Sequence, residues 1–202
     1  MASLSDVVDI PSNLNVGLTA CPASHLLQKF GSPGSLTPKC SPFTGPSKNL
    51  IRTDSVGPFR VTGMGFAIDS LSDVFDQVNS FHPEVYAAIH TAGMLCVRAN
   101  KASTSAYSNH SWGCAIDLYF GSDVVPFGAP KTQLGFLYIY EFFRQAGWYW
   151  GAGFSGKKDA MHFELSREAI DSVAIAPSPG AELVAAADYA RQMGYDDVEE
   201  PA

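Results

Sequence analysis

Two short apolar runs, each interrupted by polar residues at alternate positions, constrain this chain most. In Gly113–Phe120, Cys114, Ile116, Leu118 and Phe120 share one parity, and Ala115, Asp117 and Tyr119 the other. In Ala160–Leu165, Met161, Phe163 and Leu165 face one way, and His162 and Glu164 the other. Both read as strands with an apolar face on the core. An unpaired carboxylate or imidazole in such a strand is costly, so Asp117 and His162 call for a common partner. A divalent cation is the simplest one. His110 lies seven residues before Asp117, in a loop that can curl back over the same cleft. Two imidazoles and a carboxylate can hold a zinc ion and leave its fourth position for water. Asp159, three residues before His162, is placed to take a proton from that water. Taken singly, each residue has a plainer reading as a surface histidine or a strand-end acid; the combination favours the metal.

The 202-residue chain is 46% hydrophobic and only 16% charged, which supports one domain with a proper core and excludes a disordered composition. A net charge of -7 argues against nucleic-acid binding, which needs a basic face. No apolar run approaches the length of a membrane span, so no stable membrane insertion is expected. The segment Met1–Asp9 has neither a basic region nor an apolar stretch, so synthesis in the cytoplasm without a secretory signal is expected. The chain is expected to act as a monomer. None of the four cysteines forms a C-x-x-C pair. Cys96 and Cys114 read as small buried hydrophobes. Cys21 and Cys40 can pair under oxidising conditions, with reduced thiols the default.

Residues 1–55, rich in Pro, Gly, Ser and Asn, read as an irregular segment packed on the domain. The catalytic domain is expected over 56–175, followed by a linker, a short helix over 181–193 and an acidic tail to residue 202. Ser70-Leu-Ser-Asp73 resembles a capping box and predicts a helix to about Ser80. His82-Pro83-Glu84 predicts a second helix, ending at Gly93. Met94–Arg98 reads as a short strand. A third helix fits Thr132–Ala146, with Gly147 as its stop. The expected architecture is α+β, a small antiparallel sheet flanked by helices.

The pattern Ser108-x-His110-x-x-Gly113-x-Ala115-x-Asp117, followed by Asp159-x-x-His162-x-Glu164, resembles the zinc D-Ala-D-Ala carboxypeptidases. The same signature runs through the phage L-alanyl-D-glutamate endopeptidases and the D-Ala-D-Ala dipeptidases (the LAS-type metallopeptidases). Gly147-Trp-Tyr-Trp-Gly151 is also similar to this family, and the resemblance covers roughly Val56 to Arg167. It implies a hedgehog-like peptidase fold, zinc held by His110, Asp117 and His162, and Asp159 as general base and then acid. It further implies Arg98 as the group steadying the oxyanion and Ser108 as a lining of the substrate pocket. The family often has Tyr-Arg-Ser around that arginine, whereas this chain has Val97-Arg98-Ala99. The plainer reading of Arg98 is an ion pair with Asp117 or Glu164. Glu164 is read as a hydrogen-bond partner of a ligand histidine. Trp148, Tyr149 and Trp150 are read as core and cleft wall, with Trp150 expected to touch substrate.

The function implied is a zinc peptidase acting on peptidoglycan stem peptides, at D-Ala-D-Ala or at L-Ala-D-Glu, as in a phage-type endolysin. Such an enzyme would reach the cell wall after release or delivery by another route. Two alternatives stand beside it: a non-catalytic zinc-binding module on the same scaffold, and a cytoplasmic D-Ala-D-Ala dipeptidase.

Overall fold

The computed structural model describes residues 2–101 and 103–174. The chain divides into two units, Met1–Ser172 and Val173–Ala202. The first carries all the elements below; the expected C-terminal helix and acidic tail lie outside the described residues. In chain order come β1 (Val7–Asp9), α1 (Ala23–Phe30), β2 (Ile51–Ser55), β3 (Arg60–Met64), α2 (Gly65–Phe81), α3 (Pro83–Ala88) and β4 (Ile89–Gly93). There follow β5 (Ala99–Asn100), β6 (Ser103–Tyr107), β7 (Ala115–Phe120), β8 (Lys131–Gln133), α4 (Leu134–Gln145), β9 (Trp148–Trp150), β10 (His162–Leu165) and α5 (Arg167–Ser172). The fold is α+β, with small antiparallel sheets and, among the described residues, five α-helices. None of the described helices is long and apolar enough to cross a membrane.

The central sheet has strand order β4-β7-β10-β9, all antiparallel. Its parity follows the sequence. Ile116, Leu118, Phe120 and Phe163 are fully or almost fully buried on one face. Against that face lie α2 and α4. The α2 residues Ile68, Leu71, Val74, Phe75 and Val78 recur at helical spacing and are all buried. From α4, Phe143 meets Phe75 with ring centroids 5.8 Å apart and Phe163 at 4.3 Å. Each such ring contributes roughly 1.5–3 kcal/mol by leaving water. This aromatic layer fixes the strand pair and leaves the opposite faces of β7 and β10 to line a cleft.

Several boundaries differ from the sequence reading. Ser70 and Asp73 do not cap a helix, because α2 already starts at Gly65, where the apolar repeat begins with Ala67 and Ile68. Ser70 instead accepts a hydrogen bond from the Trp148 indole at 2.9 Å. The second helix stops at Ala88, because Ile89–Gly93 pairs with β7 as an edge strand. Gly93, at φ +118°, serves a bulge opposite Asp117 rather than a helix end.

Met94–Arg98 forms no regular strand. It is a loop held by a bridge between Ser41 and Val97 and by a disulfide between Cys40 and Cys96. That overturns the cysteine reading. Cys96 is bonded rather than free, and Cys40 pairs with it, not with Cys21, because residues 37–41 run antiparallel to 97–99. Cys21 and Cys114 are free and buried.

Residues 1–55 carry more structure than their composition suggests. They supply α1, whose Leu26 and Phe30 are buried, and β2, which pairs with β3. Cys21 and Phe43 also join the core.

Candidate metal centre

Asp117 and His162 are directly opposed in the β7–β10 register, so their side chains leave the sheet on the same face. His110 arrives from a short 3₁₀ turn, Asn109–Trp112, that precedes β7. Gly113 closes that turn in the left-handed region at φ +61°. It also packs against the Gly63 backbone so closely that a Cβ would collide there. Two constraints thus require glycine at one position, and together they hold His110 in place.

Three atoms converge. His110 Nε2 and His162 Nδ1 each lie 3.1 Å from Asp117 Oδ1 and 3.2 Å from each other. The far side of each ring fixes what these atoms offer. His110 Nδ1 lies 2.7 Å from the Met94 carbonyl, which only accepts, so that nitrogen carries the proton. His162 Nε2 lies 3.0 Å from Glu164 Oε2 and donates to it. With both imidazoles neutral, His110 Nε2 and His162 Nδ1 are lone pairs aimed, with a carboxylate oxygen, at one point. Tetrahedral zinc ligands at ~2.0–2.1 Å stand roughly 3.3 Å apart, close to the spacing seen. The donor set fits zinc.

The electrostatics agree. Burial works against the charge on Asp117, but hydrogen bonds from His110 and His162 outweigh it and hold the carboxyl far below its ordinary value. Burial opposes a charged His162 too, yet Asp117 and Glu164 prevail and push the imidazole up to about 10. Three carboxylates, Asp117, Asp159 and Glu164, are buried around two imidazoles. Such a site is short of positive charge, and a proton or a metal cation supplies it.

Around this centre lies a cleft of about 770 Å³. Asp159 lines it, and burial raises its carboxyl above the ordinary value against the pull of His162, with Asp117 adding to the rise. Its backbone is tied on both sides, by its N–H to Gly151 O at 3.1 Å and by its carbonyl to His162 N–H at 3.2 Å. Ser108 is buried on the same wall, and its N–H donates to Arg98 O. Arg98 also lines the cleft, but its Nη1 donates to the Ala99 carbonyl at 3.0 Å. Among the described residues it makes no ion pair with Asp117 or Glu164.

Trp150 does not reach the cleft, contrary to the sequence reading. It is fully buried, stacked on Phe163, with its indole N–H donated to Ala160 O at 2.8 Å. Strand parity accounts for this, because Trp150 pairs with Phe163 on the core face.

The sequence reading missed the partners of Glu164. Its Oε2 also accepts from Asn109 Nδ2 at 2.9 Å, and its Oε1 from the Cys21 backbone N–H at 3.2 Å. Asn109 donates again to the Cys21 carbonyl at 2.8 Å. Thr19–Ala23 thereby forms one wall of the cleft. Asn109 stands inside the Ser108–Asp117 motif, which was the available signal; nothing local in sequence announces a contact 88 residues away.

No curated protein matches this chain. A peptidase M15 family model, described as D-alanyl-D-alanine carboxypeptidase, matches residues 101–165. That span holds His110, Asp117, Asp159, His162 and Glu164, leaves out Arg98, and supports a peptidase at this site.

Proposed function

We propose that this protein is a zinc-dependent peptidase that hydrolyses peptidoglycan stem peptides, at D-Ala-D-Ala or at L-Ala-D-Glu. The observation that carries the reading is the convergence of two imidazole lone pairs and one carboxylate oxygen within 3.2 Å of each other, beside a buried carboxyl in a cleft. The matched family model gives the substrate class its support. His110, Asp117 and His162 would hold the metal. Zinc, when bound, would lower the pKa of water to roughly 7 and polarise a carbonyl.

Asp159 takes the proton of the attacking water and returns it to the leaving amine. The upward push on its carboxyl suits that exchange, because a base too acidic holds no proton to give back. Arg98, once freed from the Ala99 carbonyl, offers its guanidinium to the negative oxygen of the tetrahedral intermediate. Ser108 shapes the pocket wall beside it.

The test combines metal content with digestion of purified sacculi, read by mass spectrometry of the fragments. One zinc per chain and released D-Ala, or fragments cut after L-Ala, are expected. Asp159→Ala should abolish hydrolysis and keep the zinc. Intact stem peptides beside a zinc-loaded protein would refute the peptidase and leave a binding module. Faster turnover of free D-Ala-D-Ala than of the polymer would redirect the reading to a dipeptidase.

A further inference from the structure

One group of side chains at the cleft is not used by the chemistry above. Phe127, on the loop between β7 and β8, is 39% exposed at the cleft rim. Two ammonium groups sit over its ring, Lys101 Nζ at 5.8 Å from the centroid and Lys157 Nζ at 5.9 Å. They come from different loops. Lys101 lies in the turn between β5 and β6, and Lys157 lies between β9 and β10. All three residues line the cleft.

The arrangement is built rather than incidental. Gly128 N–H donates to Lys158 O at 2.7 Å, which ties the Phe127 loop to the Lys157 loop. Neither lysine makes an ion pair among the described residues, although acids outnumber bases 20 to 13 in the chain. Two like charges drawn to one ring repel each other, and the ring's quadrupole offsets this only in part. A carboxylate between them would relieve the repulsion, with the ring supporting the carbon chain that bears it. Lys101 also acts on Asp159 through its charge, so the pair lies on the chemistry's side of the cleft.

Resting on the peptidase reading, we infer that Lys101, Lys157 and Phe127 form a subsite for an acidic residue of the peptide substrate, making the cleft selective for a free carboxylate over its amide. The whole molecule is acidic, so this local reversal of sign serves recognition, not general adhesion.

The experiment uses two peptides, L-Ala-γ-D-Glu-L-Lys-D-Ala-D-Ala and the same peptide with the D-Glu α-carboxylate amidated. Calorimetric binding is measured on zinc-loaded Asp159→Asn protein, and kcat/KM on the wild type. The acidic peptide should bind roughly tenfold more tightly, as two exposed charge pairs allow. The ratio should fall to about one in Lys101→Gln/Lys157→Gln protein, and should shrink between low and high salt. Both lysines are exposed, so a thermal melt of the double variant should overlay the parent. Equal binding of the two peptides, no binding of either, or a preference that survives the double substitution would overturn the subsite. Turnover without discrimination sinks the subsite and spares the peptidase; discrimination in binding without turnover does the reverse.

Discussion

Glu164 shows how one side chain sets a whole metal centre. It accepts from His162, from Asn109 and from the Cys21 backbone, and so fixes the tautomer that leaves His162 Nδ1 free for a cation. Glu164→Gln replaces one acceptor with an NH₂ group that must face other donors. Zinc affinity, measured by competition with a chromophoric chelator, should fall ~10–100-fold. An unchanged affinity would show that His162 needs no such partner. Strand alternation made Asp117, His162 and Glu164 legible as a set, because a polar residue in an apolar strand is informative by itself. Asn109 and Cys21 were not legible, since their roles depend on where a distant backbone passes. Trp150 was misread because aromatic character does not reveal strand parity.

Elements follow the same division. β7, β10 and α4 were legible from period and from glycine stops, because their large apolar residues keep to one face. α1, β4 and the Met94–Arg98 loop were not, because each is defined by what it packs against. That loop supplies the Met94 carbonyl for His110, and Cys96 N–H donates to His110 O at 3.0 Å. The disulfide between Cys40 and Cys96 therefore braces a ligand-bearing segment across a sequence separation of 56 residues. Closing a loop of that length stabilises a fold by about 4 kcal/mol in the chain-entropy treatment. Cys40→Ser/Cys96→Ser protein should lose about 2–4 kcal/mol in urea unfolding, and its zinc affinity should drop as well. Lost stability with full zinc affinity would mean that the brace does not reach His110. Reducing the wild type with a phosphine should copy the double variant, because the Cys40–Cys96 bond is what the reductant breaks, whereas Cys21 and Cys114 are already free and buried.

At the scale of the molecule, the cation and the fold are coupled. The aromatic layer between helices and sheet holds β7 and β10 together, and that pairing alone brings Asp117 opposite His162. The reverse face concentrates Asp117, Asp159 and Glu164 at low exposure, where mutual repulsion opposes folding unless positive charge is present. The unfolded chain scatters these ligands and has no comparable affinity, so a metal bound to the native state shifts the equilibrium toward it. At free zinc about 1,000-fold above the dissociation constant the gain is ~4 kcal/mol. For a unit of this size that corresponds to roughly 8–16 °C in the thermal midpoint. Stripping the protein with a chelator should lower the midpoint by several degrees, and zinc should restore it in a concentration-dependent way. Asp117→Asn protein should melt at one temperature with or without zinc, because its third anionic ligand is gone. A wild-type midpoint indifferent to chelator would mean that the three converging atoms hold no ion in solution, and the hydrolytic reading of the cleft would fall with it.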